Sequence, residues 1–158
     1  MNPANIRVKS ALAQMNIPCE ITIVEHDTRT SAQAAETLGC SIAQIAKSLI
    51  FTAGDGDAVL AVTSGANRVC TDLLADLVGQ PIGKANAEFV RHTTGFVIGG
   101  VAPAGLAHPV RTVFDRDLFV HETVWAAAGT PNSLFPISRK NLRVLAGDRI
   151  RNFTQPLV

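Results

Sequence analysis

A chain of 158 residues, 47% apolar and poor in aromatics, carries enough apolar surface for one core; it reads as a single domain over 1–158 and not as a disordered or fibrous chain. Fourteen Lys and Arg against thirteen Asp and Glu leave a formal charge of +1, which argues against binding DNA or any long polyanion from a distance and leaves room for a short phosphate-bearing end held by a few local cations. Cys19, Cys40 and Cys70, odd in number and without C-x-x-C spacing, argue against a disulfide framework and for reduced thiols in a cytoplasmic protein, while Met1–Asn5 is no signal sequence and no apolar run reaches membrane-spanning length.

Taken in order, Asn2 or Asn5 caps a first helix running to about Met15, with Ile6, Leu12 and Met15 on its apolar face, before Pro18 breaks the pattern. Cys19–Val24 alternates as a half-buried strand and ends at Glu25-His26-Asp27. Ser31 is the expected N-cap of an Ala-rich helix through Leu38, stopped by Gly39. Ser41 starts a second short helix, Ile42 to Ala46, with Lys47 at its junction into Ser48-Leu49-Ile50-Phe51. The segments Ser48–Ala53 and Ala58–Thr63 flank Gly54-Asp55-Gly56-Asp57, a hairpin signal that places two antiparallel strands at the centre of a sheet.

A loop at Ser64–Asn67 precedes a helix capped by Thr71, running to Val78 and ending in Gly79; another, opened by Asn86, carries Phe89 and Val90 and stops before Gly95. Gly95-Phe96-Val97-Ile98-Gly99-Gly100-Val101-Ala102-Pro103 reads as an apolar strand delivering a bare backbone loop with a stiffened exit. Val110–Asp115 is a strand and Asp117–His121 a turn or short helix. Two further strands, Thr123–Ala127 and Leu134–Ile137, flank a second backbone-exposing loop, Gly129–Ser133. Ser138 caps a last helix to about Ala146, and the tail from Asp148, lacking periodicity, is expected to be loosely held. Short hairpins dominate over regular βαβ alternation, so the expected fold is α+β: a mixed, mostly antiparallel sheet or small barrel with helices inserted between its strands.

Few residues offer conventional chemistry. His26, His92, His108 and His121 stand far apart with no paired carboxylate, which disfavours a metal site. There is no G-x-S-x-G elbow, no cysteine with an evident partner base, no Walker loop and no dinucleotide fingerprint. Cys40 could be activated at a helix boundary or be a buried structural thiol. Two features remain. Gly99–Pro103 is either a turn between strands or a surface of bare amides and carbonyls. Lys47 is either a lysine whose stem snorkels to water or a single fixed cation for a phosphate or a polarised carbonyl.

Four segments, Val24-Glu25-His26-Asp27, Lys47-Ser48-Leu49-Ile50-Phe51, Gly99-Gly100-Val101-Ala102-Pro103 and Ala128-Gly129-Thr130, in this order over roughly Ile17 to Gly147, resemble the YbaK/prolyl-tRNA-synthetase-associated domain family. These are freestanding relatives of the bacterial prolyl-tRNA synthetase editing domain. The resemblance implies a trans-editing deacylase that removes a small wrong amino acid from the 3′ acceptor end of a mischarged tRNA, on proline tRNA or a similar one. It implies no metal, no cofactor and no covalent intermediate, and as partners the aminoacyl-tRNA and an aminoacyl-tRNA synthetase, with no DNA and no membrane. Lys47 matches the family's lysine and Gly99–Pro103 its G-x-x-x-P loop, so both become candidate catalytic elements.

Under that resemblance Gly99, Gly100, Val101 and Pro103 belong to the loop that positions the terminal ribose 2′-hydroxyl and a water against the ester, Lys47 holds the substrate, and Val24, His26, Gly129 and Thr130 wall the amino-acid pocket. Such an activity answers a physical need, because a synthetase pocket gains only about 1–3 kcal/mol from one methylene and so admits smaller amino acids. Relatives that clear alanine from proline tRNA often carry histidine after the Ala-Gly pair, and those that clear cysteine carry lysine; Thr130 stands there in this chain. Two rivals remain: a module of the same fold that binds tRNA ends or a synthetase without hydrolysis, and a hydrolase of small esters.

Overall fold

The computed structural model describes residues 1–28 and 30–157. Its elements in chain order are α1 (Pro3–Ala13), β1 (Thr22–Ile23), α2 (Ser31–Leu38), β2 (Ile45–Ala53), β3 (Ala58–Ser64), β4 (Asn67–Val69), α3 (Thr71–Val78), β5 (Ile82–Lys84), α4 (Ala87–Thr94), β6 (Arg111–Asp115), β7 (Thr123–Ala127), β8 (Ser133–Ser138), α5 (Arg139–Ala146), β9 (Ile150–Arg151) and β10 (Thr154–Pro156). Two 3-10 turns sit at Ile42–Gln44 and Arg116–Val120. The main sheet runs β1-β8-β7-β2-β3-β6-β9, with β5 also on β2, and β10 pairs β4 in a small second sheet. The fold is thus the expected mixed α/β arrangement with helices inserted between strands, and the pairing path stays open from β1 to β9.

The β2–β3 hairpin forms as its Gly-Asp-Gly-Asp turn predicts, in register from Ala46↔Ser64 to Thr52↔Ala58. Alternation along β3 and β6 builds two cores. Leu60, Val62 and Phe114 face a large one with Val8 and Leu12 of α1, Phe96, Val101 and Leu142. Val59, Ala61 and Val113 face a smaller one with Leu74, Val78 and Phe153. Helix boundaries follow the capping signals: Asn86 Oδ1 accepts from Phe89 N, Ser138 Oγ accepts from Asn141 N, and Gly39, Gly79 and Gly95 take left-handed C-terminal positions.

Several expectations change. The α1 face that packs inward is Asn5, Val8 and Leu12, whereas Ile6 and Met15 are exposed; a buried polar residue lies outside what apolar periodicity can register. Thr30, not Ser31, caps α2, in a capping box with Gln33, and Cys70, not Thr71, stands at the N-cap of α3, with no side-chain cap bond. The strand expected over Cys19–Val24 shrinks to β1, and the helix expected over Ile42–Ala46 is a 3-10 turn that passes at Ile45 into β2, so Lys47 lies inside a strand. Gly95–Ile98 is no strand: Phe96 drops into the core while Val97 and Ile98 stay exposed on a turn closed by Gly100 N donating to Val97 O at 2.9 Å. The C-terminal tail is not loose, because β9 joins the main sheet, Phe153 is fully buried and β10 pairs β4.

Candidate active site

The central strand is covered unevenly. On the side away from β3, β7 pairs it only at Ile45↔Trp125 and Ala46↔Ala126, and β5 only from Phe51↔Lys84 to Ala53↔Ile82. Between those two contacts Lys47–Ile50 has a strand partner on the β3 side alone. Ladder alternation, set by Gly65 N donating to Ile45 O and Ala53 N to Asp57 O, turns the odd-numbered residues of β2 towards β3 and directs the main-chain groups of Ser48 and Ile50 the other way. The split leaves a cleft of about 620 Å³, walled by the start of α2, β5, the Gly99 loop and β7–β8, with Lys47, Ser48, Gly99, Val101, Ala127 and Leu134 among its lining.

The Gly99 loop is held rigidly at both ends. Thr94 Oγ1 donates to Val90 O at 2.7 Å and accepts from Phe96 N at 3.0 Å, anchoring the entry. Arg7 of α1 bonds Gly95 O through Nη2 and Gly105 O through Nε, and lays its guanidinium over the Phe96 ring at 4.4 Å. Gly99 has φ 90°, a conformation that disfavours any side chain, and is exposed towards the cleft. Gly100 is needed for a different reason. A Cβ there would stand 2.8 Å from Thr130 Cα and 3.0 Å from Gly129 O, so the two backbone loops touch directly. Pro103 is buried behind them and does not line the cleft.

The opposing loop is held just as tightly. Asn5 donates Nδ2 to Ala128 O at 2.7 Å and to Ser133 Oγ at 2.9 Å, and Gly129 packs on the Ala4 carbonyl, where a Cβ would come within 2.9 Å. Thr130 Oγ1 is engaged by Asn132 Oδ1 and Ser133 Oγ. From the far side, Val24 N donates to Asn132 O and Thr28 N to Pro131 O. Val24, Gly100, Gly129 and Thr130 therefore meet in one three-layer wall behind the cleft. Thr28, Ala127 and Leu134 present its surface, and His26 lies exposed on the connecting segment.

Lys47 is half-buried, and its Nζ donates to the main-chain oxygen of Asn67 at 2.6 Å. Burial pushes its pKa down, and the negative charge of Asp115 pulls it back up. One N–H is thus committed and two remain for a ligand. Lys84 from β5 is a second cation lining the cleft, and Ser48 Oγ is buried there without a hydrogen-bond partner among the described residues. Sequence reasoning missed both. Lys84 sits on a three-residue strand too short to show a period, and Ser48 enters the sequence reading only as the neighbour of Lys47 in a motif.

Over residues 25–145 the chain matches the aminoacyl-tRNA editing domain, a span covering well over half of it and containing Lys47 and both loops. The chain belongs to the aminoacyl-tRNA editing domain family. It is 36% identical over 136 residues to the uncharacterized protein YwhH of Bacillus subtilis, covering 85% of this chain and 86% of that protein. Two solved structures share the whole fold of this editing domain. One is a proposed trans-editing enzyme for prolyl-tRNA synthetase, with TM-score 0.90, 37% identity and 98% and 99% of the two chains covered. The other is the hypothetical protein APE2540, with TM-score 0.87, 29% identity and 94% and 99% covered.

Membership gives the chain its class of substrate, an aminoacyl-tRNA, and the cleft holds one tethered cation, a glycine loop and a strand edge without a strand partner. Among the described residues no group of three or more His, Cys, Asp or Glu is placed to hold a metal, and no helix is long and apolar enough to cross a membrane. A second cavity of similar volume, lined by Asp55, Asp57, His92, His108 and Arg111, lies at the β2–β3 turn and contains none of the motif residues of the editing domain.

Proposed function

We propose that the protein is a trans-acting deacylase, with the 1–158 chain as one domain, that hydrolyses the ester linking a small non-cognate amino acid to the 3′ end of a tRNA. The observation that carries this reading is the split in the β2 ladder, which sets Lys47 and the Gly99 loop on one cleft. The bare backbone around Gly99, Gly100 and Val101 positions the terminal 2′-hydroxyl and a water against the ester carbonyl. Water adds to that carbonyl, the ribose oxygen leaves with a proton, and free amino acid and tRNA result. Rate comes from proximity and fixed dipoles, with no metal and no covalent enzyme intermediate.

Lys47 holds the terminal phosphate or the carbonyl side through its two uncommitted N–H groups. Val24, Gly129 and Thr130 support from behind the wall that limits the amino acid by size, and His26 stands on the segment that leads to it. The likeness to a proposed trans-editing enzyme for prolyl-tRNA synthetase supports proline tRNA as the carrier and a synthetase as partner; three cysteines without disulfide or metal spacing support a cytoplasmic setting.

The test is a screen of the purified protein against tRNAs charged with Ala, Ser, Cys, Thr and 2-aminobutyrate. Release of one or two of these amino acids, lost in Lys47→Ala with the circular dichroism unchanged, supports the proposal. Binding of tRNA ends with no release across the panel replaces it by a non-catalytic module, and equal turnover of aminoacyl esters lacking tRNA replaces it by a small-ester hydrolase.

A further inference from the structure

The holder of Lys47 is built from parts that lie outside the cleft. Asn67 stands opposite Pro156 in the β4–β10 pairing. The bonds from Leu157 N to Ala66 O at 3.0 Å and from Cys70 N to Phe153 O at 2.8 Å show that residues 66 and 70 face the tail; alternation turns Asn67 the other way. Its carbonyl is therefore free of the ladder and available to the Lys47 ammonium.

The Asn67 side chain is fixed in turn. Nδ2 donates to Asp115 Oδ2 at 2.9 Å, to Asp117 Oδ2 at 2.8 Å and to Thr154 Oγ1 at 3.2 Å. Asp115 is wholly buried, and it also accepts from Ser64 N at 3.1 Å, Asp117 N at 3.0 Å and Thr154 Oγ1 at 3.3 Å. Among the described residues it makes no ion pair. A desolvated carboxylate is costly unless donors or a cation answer it; beyond its donor shell the Lys47 ammonium, bonded to the carbonyl of the same Asn67 whose amide donates to Asp115, lies within reach of its charge.

We infer that Asp115 and Asn67 are positioning residues of the editing site: they fix where the Lys47 ammonium stands at the cleft and supply the buried negative charge that it faces. The structural reading of the same network, a polar plug tying β4, β6 and the tail together, does not require Lys47 at all, and the two differ in what they predict for that lysine. The groups facing Lys47 are few. Asp115 comes from β6, Asp117 is exposed on the turn after it, Lys84 lines the cleft from β5, Thr63 is opposite on β3, and the start of α2 with its N-cap offers Thr30, Ser31 and two alanines. Of the two carboxylates only Asp115 is shielded from water, so it dominates.

This inference rests on Lys47 being the substrate-holding cation, but its test does not depend on turnover. In full-length protein with ¹⁵N-labelled lysine side chains, the Lys47 ammonium, assigned by its loss in Lys47→Arg, is expected to persist against solvent exchange at neutral pH, where exposed Lys9 and Lys140 do not. Asp115→Asn should move the Lys47 titration to lower pH, and Asp117→Asn should move it much less. A wild-type Lys47 signal that exchanges like Lys9, or a titration unmoved in Asp115→Asn, overturns the inference. If Asp115→Asn does not fold, Asn67→Ala, which keeps the main-chain acceptor and removes the amide that donates to Asp115, takes its place: a Lys47 exchange rate and titration unchanged in that variant overturn the inference. Deacylation adds a second readout: Asp115→Asn should lose about tenfold in kcat/KM at neutral pH, the size of one hydrogen bond to a charged group, with the alkaline limb of the profile moved down. If the wild type deacylates nothing, the proposed function fails while the Lys47 spectra still decide the inference.

Discussion

The Gly99 loop and the Lys47 holder reach the same cleft by opposite means. The loop is local: nine consecutive residues carry their own glycines and proline, and α1 only pins the ends. The holder is assembled from β2, β4, β6 and the tail, with Asn67, Asp115 and Thr154 brought together from 48 and 39 residues away. A local device can be read as a motif, whereas a distributed one leaves single residues of ordinary type scattered along the chain.

The sharpest way to break this comparison is to remove the cation. Lys47→Ala is expected to lower deacylation by a hundredfold or more, the usual cost of losing one fixed charge-stabilising donor, without loss of fold; single-turnover release of amino acid measures it. Next comes Gly100→Ala. Its Cβ would meet Thr130 backbone at 2.8 Å, so the two loops must separate, which costs about 1–3 kcal/mol in stability as well as activity. Gly99→Ala should separate the two effects. Its nearest obstacle is Pro131 at 3.7 Å, so the cost is the left-handed backbone alone, about 1–2 kcal/mol by thermal unfolding.

Asn5→Ala leaves the Ala128 carbonyl without its donor and should lower stability by about 1–3 kcal/mol. The smallest effect is in pH. Because Lys47 titrates below an ordinary lysine when folded, its charged form disfavours folding slightly, so stability should rise as pH climbs through the window between its folded and unfolded titrations. Activity should move the other way, since the cation is lost earlier on the alkaline side. Parallel unfolding and rate profiles would show the two slopes.

What could be read in advance followed from local signals. The hairpin came from Gly54–Asp57, and helix ends came from Asn86, Ser138 and the glycines at 39, 79 and 95, each a residue whose own chemistry sets the backbone. The resemblance pointed to Lys47 and to Gly99–Pro103, and the structure sets Lys47, Gly99 and Val101 on one cleft. The misses share a cause. β4, β5, β9 and β10 are two or three residues long, too short to show a period, and their stability comes entirely from partners distant in sequence. Phe96 belongs to an apolar run that looks like a strand, but its burial comes from Arg7 and the core beneath it. Asn5 is a buried amide in a helix, where a hydrophobic face was sought.

The helix α1 lies wholly before residue 25, and β10 lies wholly after residue 145, yet α1 ties down both glycine loops through Asn5 and Arg7, and β10 backs the strand that receives Lys47. The stretch that carries the recognisable motifs is therefore smaller than the unit that can operate them. A fragment trimmed to 25–145 would retain every signature residue but Val24 while losing the two braces that hold them in place. Swapping editing segments between relatives should succeed only when the flanking helix and terminal strand travel with them.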